Sequence, residues 1–319
     1  MINSKDNNLL ILLGPTGVGK TDISLKLAQK IPDIEIISAD SMQIYKYMDI
    51  GTAKPAKNIL KTIKHYMIDI IEPSDNFDVT QYSELAKKNI LDVFKRGKIP
   101  ILTGGSGLYI SSLINPLFDG PAKNSEYRKF LEEEAKAHGN KYLYNNLAKI
   151  DSISASKIKP NDLRRIIRAL EVYKSTGETI SCLQKKDSNK KLKFKYHVIG
   201  LKRDRENMYR RISLRVDKMF KDGFRKEVKT LREMGYKENL NSMKGLGYKQ
   251  INQYLNGAYS KEEAINLIKI ETRHYAKRQM TWFKNKIKNI QWIDLDEYDE
   301  SEVVLKIKNE INNKCKGSI

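Results

Sequence analysis

One octapeptide constrains this chain more than any other feature. Gly14-Pro15-Thr16-Gly17-Val18-Gly19-Lys20-Thr21 matches the pattern GxxxxGK[ST] in full. It follows the continuous apolar run Leu9 to Leu13 and precedes apolar residues at helical spacing, Ile23, Leu27 and Ile31. Strand, glycine loop and helix in that order let successive backbone N–H groups and a helix N-terminus cradle phosphate oxygens. Lys20 then supplies a point charge to the terminal phosphate oxygens, and the Thr21 hydroxyl reaches a Mg²⁺ bound to them. The loop alone leaves open whether the phosphates belong to a nucleotide.

Three more short apolar runs follow in the first third: Ile34 to Ser38 before Asp40, His65 to Ile71 before Pro73, and Ile99 to Leu102 before Thr103 and Gly104-Gly105-Ser106-Gly107. Helical patterns separate them, notably Tyr82 to Phe94. Such alternation predicts an α/β fold, a P-loop NTPase-like parallel sheet core with helices on both faces, in which ligands bind at the carboxyl ends of the strands. After Pro121 the pattern turns to charged helical stretches, Glu126 to Ala137 and Asp162 to Ser175, and then to a lysine-rich linker from Lys185 to Lys195. The chain is therefore expected to divide into a first core part at 1–120, a helical insertion domain at 121–195, and a return to the core with basic C-terminal helices at 196–319. Tyr196 to Leu201 and Ile290 to Leu295 are the expected late strands.

The 319 residues carry a net charge of +20. Residues 185–288 hold +18 of it, with arginines at 203, 205, 210, 211 and 215 and aromatics at Trp282 and Phe283. A local field of that size attracts polyanions, nucleic acid first, because neutralised phosphates release counterions. No apolar run approaches the roughly 20 residues of a membrane span, and no signal-peptide cleavage pattern appears. Cys182 and Cys315 form no metal or disulfide pattern, and a reduced, cytoplasmic protein is expected.

Asp40 lies just past the second strand, close to the expected phosphate site. Its type and place suit a turn-capping carboxylate, a metal ligand or a general base. Thr103 and the glycines after it form either a tight turn or a close approach of backbone to ligand. No apolar run ends in Asp-Asp or Asp-Glu, so the second motif typical of ATP hydrolysis is missing. Tyr109, Trp282 and Phe283 read first as core residues and second as stacking platforms for bases. The four histidines show no ligand spacing and read as structural.

Taken together, GPTGVGKT at 14–21, SADSMQIYKYMDIGTAKP at 38–55, HYMIDI at 65–70, LTGGSGLYI at 102–110, DLRRIIRALEVYKSTG at 162–177, KGLGYKQ at 244–250 and TRHYAKRQMTWFK at 272–284 resemble the signature blocks of the bacterial tRNA dimethylallyltransferase family. Order and spacing agree over nearly the whole chain. The zinc finger of eukaryotic relatives has no counterpart here. The resemblance implies transfer of a dimethylallyl group from dimethylallyl diphosphate to N6 of the adenosine just 3′ of the anticodon, in tRNAs reading U-initial codons. The phosphate loop, Gly14 to Thr21 with Pro15, Thr16, Gly17, Val18, Gly19 and Lys20, would then hold the leaving diphosphate, and no ATP would be consumed. By the same resemblance Asp40 is the general base, Thr103 contacts the substrate base, and Lys20 stabilises the leaving group with Mg²⁺ on Thr21. Asp40, Ser41, Met42, Gln43, Thr103, Arg128, Arg164, Arg165 and Arg168 are the implied tRNA contacts. The expected partners are the tRNA anticodon stem-loop and dimethylallyl diphosphate, acted on by a monomer away from membranes. A small-molecule or nucleotide kinase is one competing reading, and an RNA-binding NTPase or plain RNA-binding module without transfer chemistry is the other; the missing acidic pair argues against both ATP-driven forms.

Overall fold

In the computed structural model, which describes residues 7–115, 120–187 and 194–314, the run before the glycine loop is strand β1, Asn8–Leu13, buried along nearly all its length. The chain forms two compact units, Met1–Ile114 with Lys193–Ile319, and Asn115–Leu192. In the first unit β1 leads to α1 (Lys20–Lys30), β2 (Ile34–Ala39), α2 (Lys57–Thr62), β3 (His65–Tyr66), α3 (Val79–Lys95), β4 (Ile99–Gly104) and α4 (Gly107–Ile114). The second unit contains α5 (Ser125–His138), α6 (Asn140–Ile150), α7 (Ser152–Ala155), α8 (Leu163–Thr176) and α9 (Ile180–Asp187). The first unit then resumes with β5 (Lys195–Lys202), α10 (Arg205–Lys221), α11 (Phe224–Glu233), α12 (Tyr248–Leu255), α13 (Lys261–Lys286), β6 (Gln291–Asp294) and α14 (Glu300–Lys314).

The described strands form one sheet in the order β3-β2-β4-β1-β5-β6, and every pair is parallel. Both faces are covered, which is why the strands read as continuous apolar runs instead of alternating ones. The pleat still sorts the side chains. Leu10, Leu12, Ile34, Ile36 and Ile101 pack with Leu27 of α1 and Val304 and Ile307 of α14. Leu9, Ile11, Leu13, Ile37 and Leu102 pack on the other side with Tyr82 and Ile90 of α3, Ile110 of α4 and Phe283 of α13. The register aligns Leu13 and Ala39 with Gly104, so the loops after β1, β2 and β4 emerge level with one another.

Helix starts follow local chemistry. The Asp78 carboxylate caps α3 by accepting from Thr80 and Gln81 N–H, while Gln81 returns a bond to the Asp78 N–H. Ser260 and Glu263 form the same reciprocal box at the head of α13, which is 26 residues long.

Three expectations need correction. Of the run His65 to Ile71 only His65 and Tyr66 pair with β2. Met67 and Asp69 take φ of 65° and 54°, left-handed values that end an extended strand. The insertion unit begins at Asn115, ahead of Pro121, and ends at Leu192. Of the linker expected from Lys185 to Lys195, residues 188–193 lie outside the described residues, Lys185 and Lys186 end α9, and Lys195 opens β5. Cys315 also lies outside the described residues.

Candidate active site

The glycine loop wraps from the end of β1 to the first turn of α1. Gly19, the residue before α1, has φ 116° and no side chain to cap the helix, which leaves the first-turn amides without a side-chain cap. The Lys20 ammonium folds back and donates to the Gly14 and Pro15 carbonyls at 2.8 and 2.9 Å. Burial pushes its pKa down to about 7, with Asp40 partly restoring the charge and Arg215 opposing it. Lys20 is thus a cation poorly matched to the ligand-free site and well matched to an incoming anion. Thr21 is exposed and borders the same pocket. Val18, in contrast, is fully buried, so only its backbone belongs to the loop's function.

Asp40 stands at the carboxyl end of β2. Its Oδ1 accepts from Met42 N–H at 2.9 Å and Gln43 N–H at 3.3 Å, so the residue does cap the turn that follows. No described residue hydrogen-bonds the second oxygen, and capping and proton acceptance are therefore compatible in one side chain. Thr103, at the end of β4, has a buried hydroxyl without a hydrogen-bond partner among the described residues. Both residues line a cavity of about 80 Å³ together with Lys20, Thr21, Arg215 and Tyr275. A second cavity of about 250 Å³ opens from Asp40 toward Met42, Phe224, Leu246 and Tyr275. A third, about 660 Å³, spreads from Lys20 and Thr21 toward Lys54, Leu60 and Arg211. Arg215 borders all three.

The segment after Asp40 divides between ligand-facing and internal roles. The Ser41 N–H donates to the Ser106 hydroxyl oxygen at 3.0 Å, and Met42 borders the 250 Å³ cavity. Gln43 turns inward: its Nε2 donates to the Thr52 carbonyl at 3.2 Å and its Oε1 accepts from the Ser38 hydroxyl at 3.1 Å. The Asp49–Lys54 loop is fastened from two sides. Lys54 is buried and reaches Asp49 and Asp69 at 2.7 and 2.5 Å. Glu227 of α11 accepts from the N–H groups of Asp49, Ile50 and Gly51 at 2.9, 2.7 and 3.1 Å, and from the Tyr248 hydroxyl at 2.7 Å.

Several residues of this site had no site role in the sequence reading. Arg215 of α10 forms no hydrogen bond or ion pair among the described residues, and burial lowers its pKa. Arg211, one turn earlier, donates to the Gly17 carbonyl at 2.9 Å. Their spacing of four was the available signal, because it puts both on one helix face. Tyr275 and Gln279 of α13 are also four apart. Burial raises the Tyr275 hydroxyl to about 12, and Asp40 adds to the shift. His65 borders the cavity that holds Asp40, although sequence spacing gave it no role. It donates from Nδ1 to the Ile63 carbonyl at 2.7 Å, and burial keeps it below the usual imidazole range.

Tyr109, Trp282 and Phe283 pack in the core, the first of their two readings. Tyr109 stacks on Tyr82 with centroids 3.8 Å apart, Phe283 is fully buried, and Trp282 donates to the Ser111 hydroxyl at 3.2 Å.

In the second unit the four arginines fall into two pairs. Arg128 and Arg168 converge on Glu171, which has no exposed surface. Arg128 donates Nε and a terminal N–H at 2.7 Å each, and Arg168 donates at 2.6 Å. Burial works against the Glu171 charge, but these bonds outweigh it and hold the carboxyl at about 2. Arg164 and Arg165 stand exposed on α8.

Among the described residues no cluster of three or more His, Cys, Asp and Glu could hold a metal on its own. The Thr21 hydroxyl beside the phosphate loop suits an ion whose remaining ligands come from phosphate oxygens and water, which is how Mg²⁺ is usually held.

Fold and site define a P-loop α/β protein whose loop faces a carboxylate and an unpartnered hydroxyl instead of a water-activating acidic pair. The chain belongs to the IPP transferase family, whose sequence model matches residues 43–286. It is 48% identical over 301 residues to the tRNA dimethylallyltransferase of Acetivibrio thermocellus, covering 94% of this chain and 96% of that one. It is 50% identical over 295 residues to that of Alkaliphilus oremlandii, covering 92% and 93%. Among solved structures, the full-length tRNA isopentenylpyrophosphate transferase of Bacillus halodurans aligns with TM-score 0.72 and 38% identity over 97% of each chain. A eukaryotic dimethylallyltransferase acting on tRNA aligns with TM-score 0.78 and 28% identity, over 97% of this chain and 80% of that one.

Proposed function

We propose that this chain transfers a dimethylallyl group from dimethylallyl diphosphate to N6 of the adenosine 3′ of the anticodon, in tRNAs reading U-initial codons, and releases diphosphate. The observation that carries the reading is the cavity in which Asp40 and Thr103 meet Lys20, Thr21 and Arg215. It puts a proton acceptor, a base contact and the groups that bind a leaving diphosphate around one small space.

An adenine amino group is a poor nucleophile, because its lone pair is delocalised into the ring. As N6 bonds to the allylic carbon, Asp40 accepts the N6 proton and the carbon–oxygen bond to diphosphate breaks, its electron pair leaving on oxygen. Lys20, the loop amides and Arg215 meet the charge that gathers there. Mg²⁺ on Thr21 and the diphosphate oxygens adds charge neutralisation when bound. An adenine stacked in the anticodon loop must first be splayed out to reach Asp40. The 250 Å³ cavity that Asp40 borders suits the base, and the 660 Å³ cavity that Lys20 and Thr21 border suits the allyl diphosphate. No described helix is long and apolar enough to cross a membrane, and we place the enzyme in the cytoplasm, as a monomer, with tRNA.

The test is competition. Inorganic diphosphate should compete with dimethylallyl diphosphate, Lys20→Ala and Thr21→Ala should lower kcat as well as raise KM, and ATP should be neither needed nor hydrolysed. ATP turnover on tRNA binding would replace this reading with an NTPase.

A further inference from the structure

The side chain of Gln279 bonds the backbone of two separate loops. It is 6% exposed, in the middle of α13. Its Oε1 accepts the Thr16 N–H at 2.8 Å, and its Nε2 donates to the Gly105 carbonyl at 2.8 Å. The two partners lie 263 and 174 residues away in sequence, and they belong to the two loops that bracket the cavity holding Asp40 and Lys20. A Cβ at position 105 would stand 2.4 Å from Nε2, so a side chain there would displace the Gln279 carboxamide from its bond. One turn earlier on α13, Tyr275 borders the same cavity and shares hydrogen bonding with Gln279 and Ser106.

We propose that Gln279 is a positioning residue that locks the phosphate loop and the Gly104–Gly107 loop into one unit, and so sets where the diphosphate sits relative to Asp40 and Thr103. A carboxamide suits both partners, because it offers one acceptor and one donor in a fixed plane. The bond to Thr16 commits that amide to α13 and leaves the later amides of the loop for phosphate. The bond to Gly105 fixes the backbone two residues beyond Thr103, whose hydroxyl has no hydrogen-bond partner among the described residues. The assignment rests on the transfer reading above, in which both loops handle the reacting groups.

The experiment compares wild type, Gln279→Leu and Gln279→Glu. Leucine removes both bonds at similar volume. Glutamate keeps an acceptor for Thr16 and sets an oxygen against the Gly105 carbonyl. The readouts are melting temperature, inorganic diphosphate affinity with Mg²⁺, tRNA affinity, and single-turnover transfer. Both variants are expected to melt within a few degrees of wild type and to bind tRNA normally. Diphosphate affinity should fall about tenfold or more in Gln279→Leu, the scale of a buried partner left unpaired, and the transfer rate should fall in both. Unchanged diphosphate affinity and rate with weaker tRNA binding would overturn the assignment, as would losses that only track melting temperature. A wild-type chain that binds diphosphate yet prenylates no tRNA would contradict the transfer reading, and the Gln279 assignment would then stand or fall on the diphosphate affinities.

Discussion

Lys20 is the side chain whose charge the ligand most changes. Ligand-free, it sits at about 7 because burial outweighs the attraction of Asp40, and a bound diphosphate restores the ammonium. Above about pH 7 the free lysine is mostly neutral, so binding must take up a proton and affinity must fall as pH rises. Calorimetry at pH 8 in two buffers of different ionisation enthalpy measures that uptake, and Lys20→Met should abolish it. Uptake that survives the substitution would assign the proton elsewhere. Asp40→Asn should leave the fold and tRNA binding intact and slow single-turnover transfer by about 10²- to 10⁴-fold, the usual range for general-base help. An unchanged rate would remove Asp40 as the base. Lys20, Thr21 and Asp40 were legible because motif and strand end fix their places. Arg215, Tyr275 and Gln279 were not, since each arrives from a helix more than 150 residues along the chain, and a spacing of four marks a shared helix face but not what that face meets.

Helix α8 shows how one amphipathic stretch assigns different work to neighbouring arginines. Arg164 and Arg165 are exposed, whereas Arg168 turns inward with Arg128 to neutralise Glu171. The resemblance implied tRNA contact for all four alike, because the burial of a glutamate three residues after Arg168 is a tertiary fact. Arg168→Ala should therefore destabilise the helical insertion, by roughly 1–3 kcal/mol as a buried carboxylate loses a partner, readable as a lower melting temperature. Arg165→Ala should leave melting unchanged and weaken tRNA binding. The reverse pattern would restore Arg168 as the RNA contact. Glu171 also sets a pH limit. Its folded pKa lies below its unfolded value, so the stability it contributes is complete above about 4.5 and is lost as pH falls toward about 2. Glu171→Gln should flatten that part of the acid-unfolding profile. The short β3 escaped a correct reading for a similar reason, since the apolar run HYMIDI continues past the left-handed turns at Met67 and Asp69 that end pairing.

On the transfer reading, the molecule joins an anion site for a small diphosphate to an excess of positive charge over residues 185–288. The two should respond differently to salt. Affinity for tRNA should fall steeply, each neutralised phosphate adding roughly 0.7 to 0.9 to the slope of log K against log salt, while diphosphate affinity should change much less because its partners are enclosed. A flat tRNA profile would reduce the excess lysines to compositional bias. The parallel core was readable from the alternation of apolar runs and helical periods. The site inside it was only half readable, since the sheet brings β1, β2 and β4 level but the floor of the cavities is laid by α10, α11 and α13. The account as a whole rests on a transfer without ATP. Incubating the protein with unmodified tRNA, Mg²⁺ and labelled dimethylallyl diphosphate, without ATP, and digesting the tRNA to nucleosides tests it most directly. The account predicts label on N6 of the adenosine 3′ of the anticodon, with one diphosphate released per group transferred. No labelled nucleoside, or label that appears only when ATP is added, would contradict it.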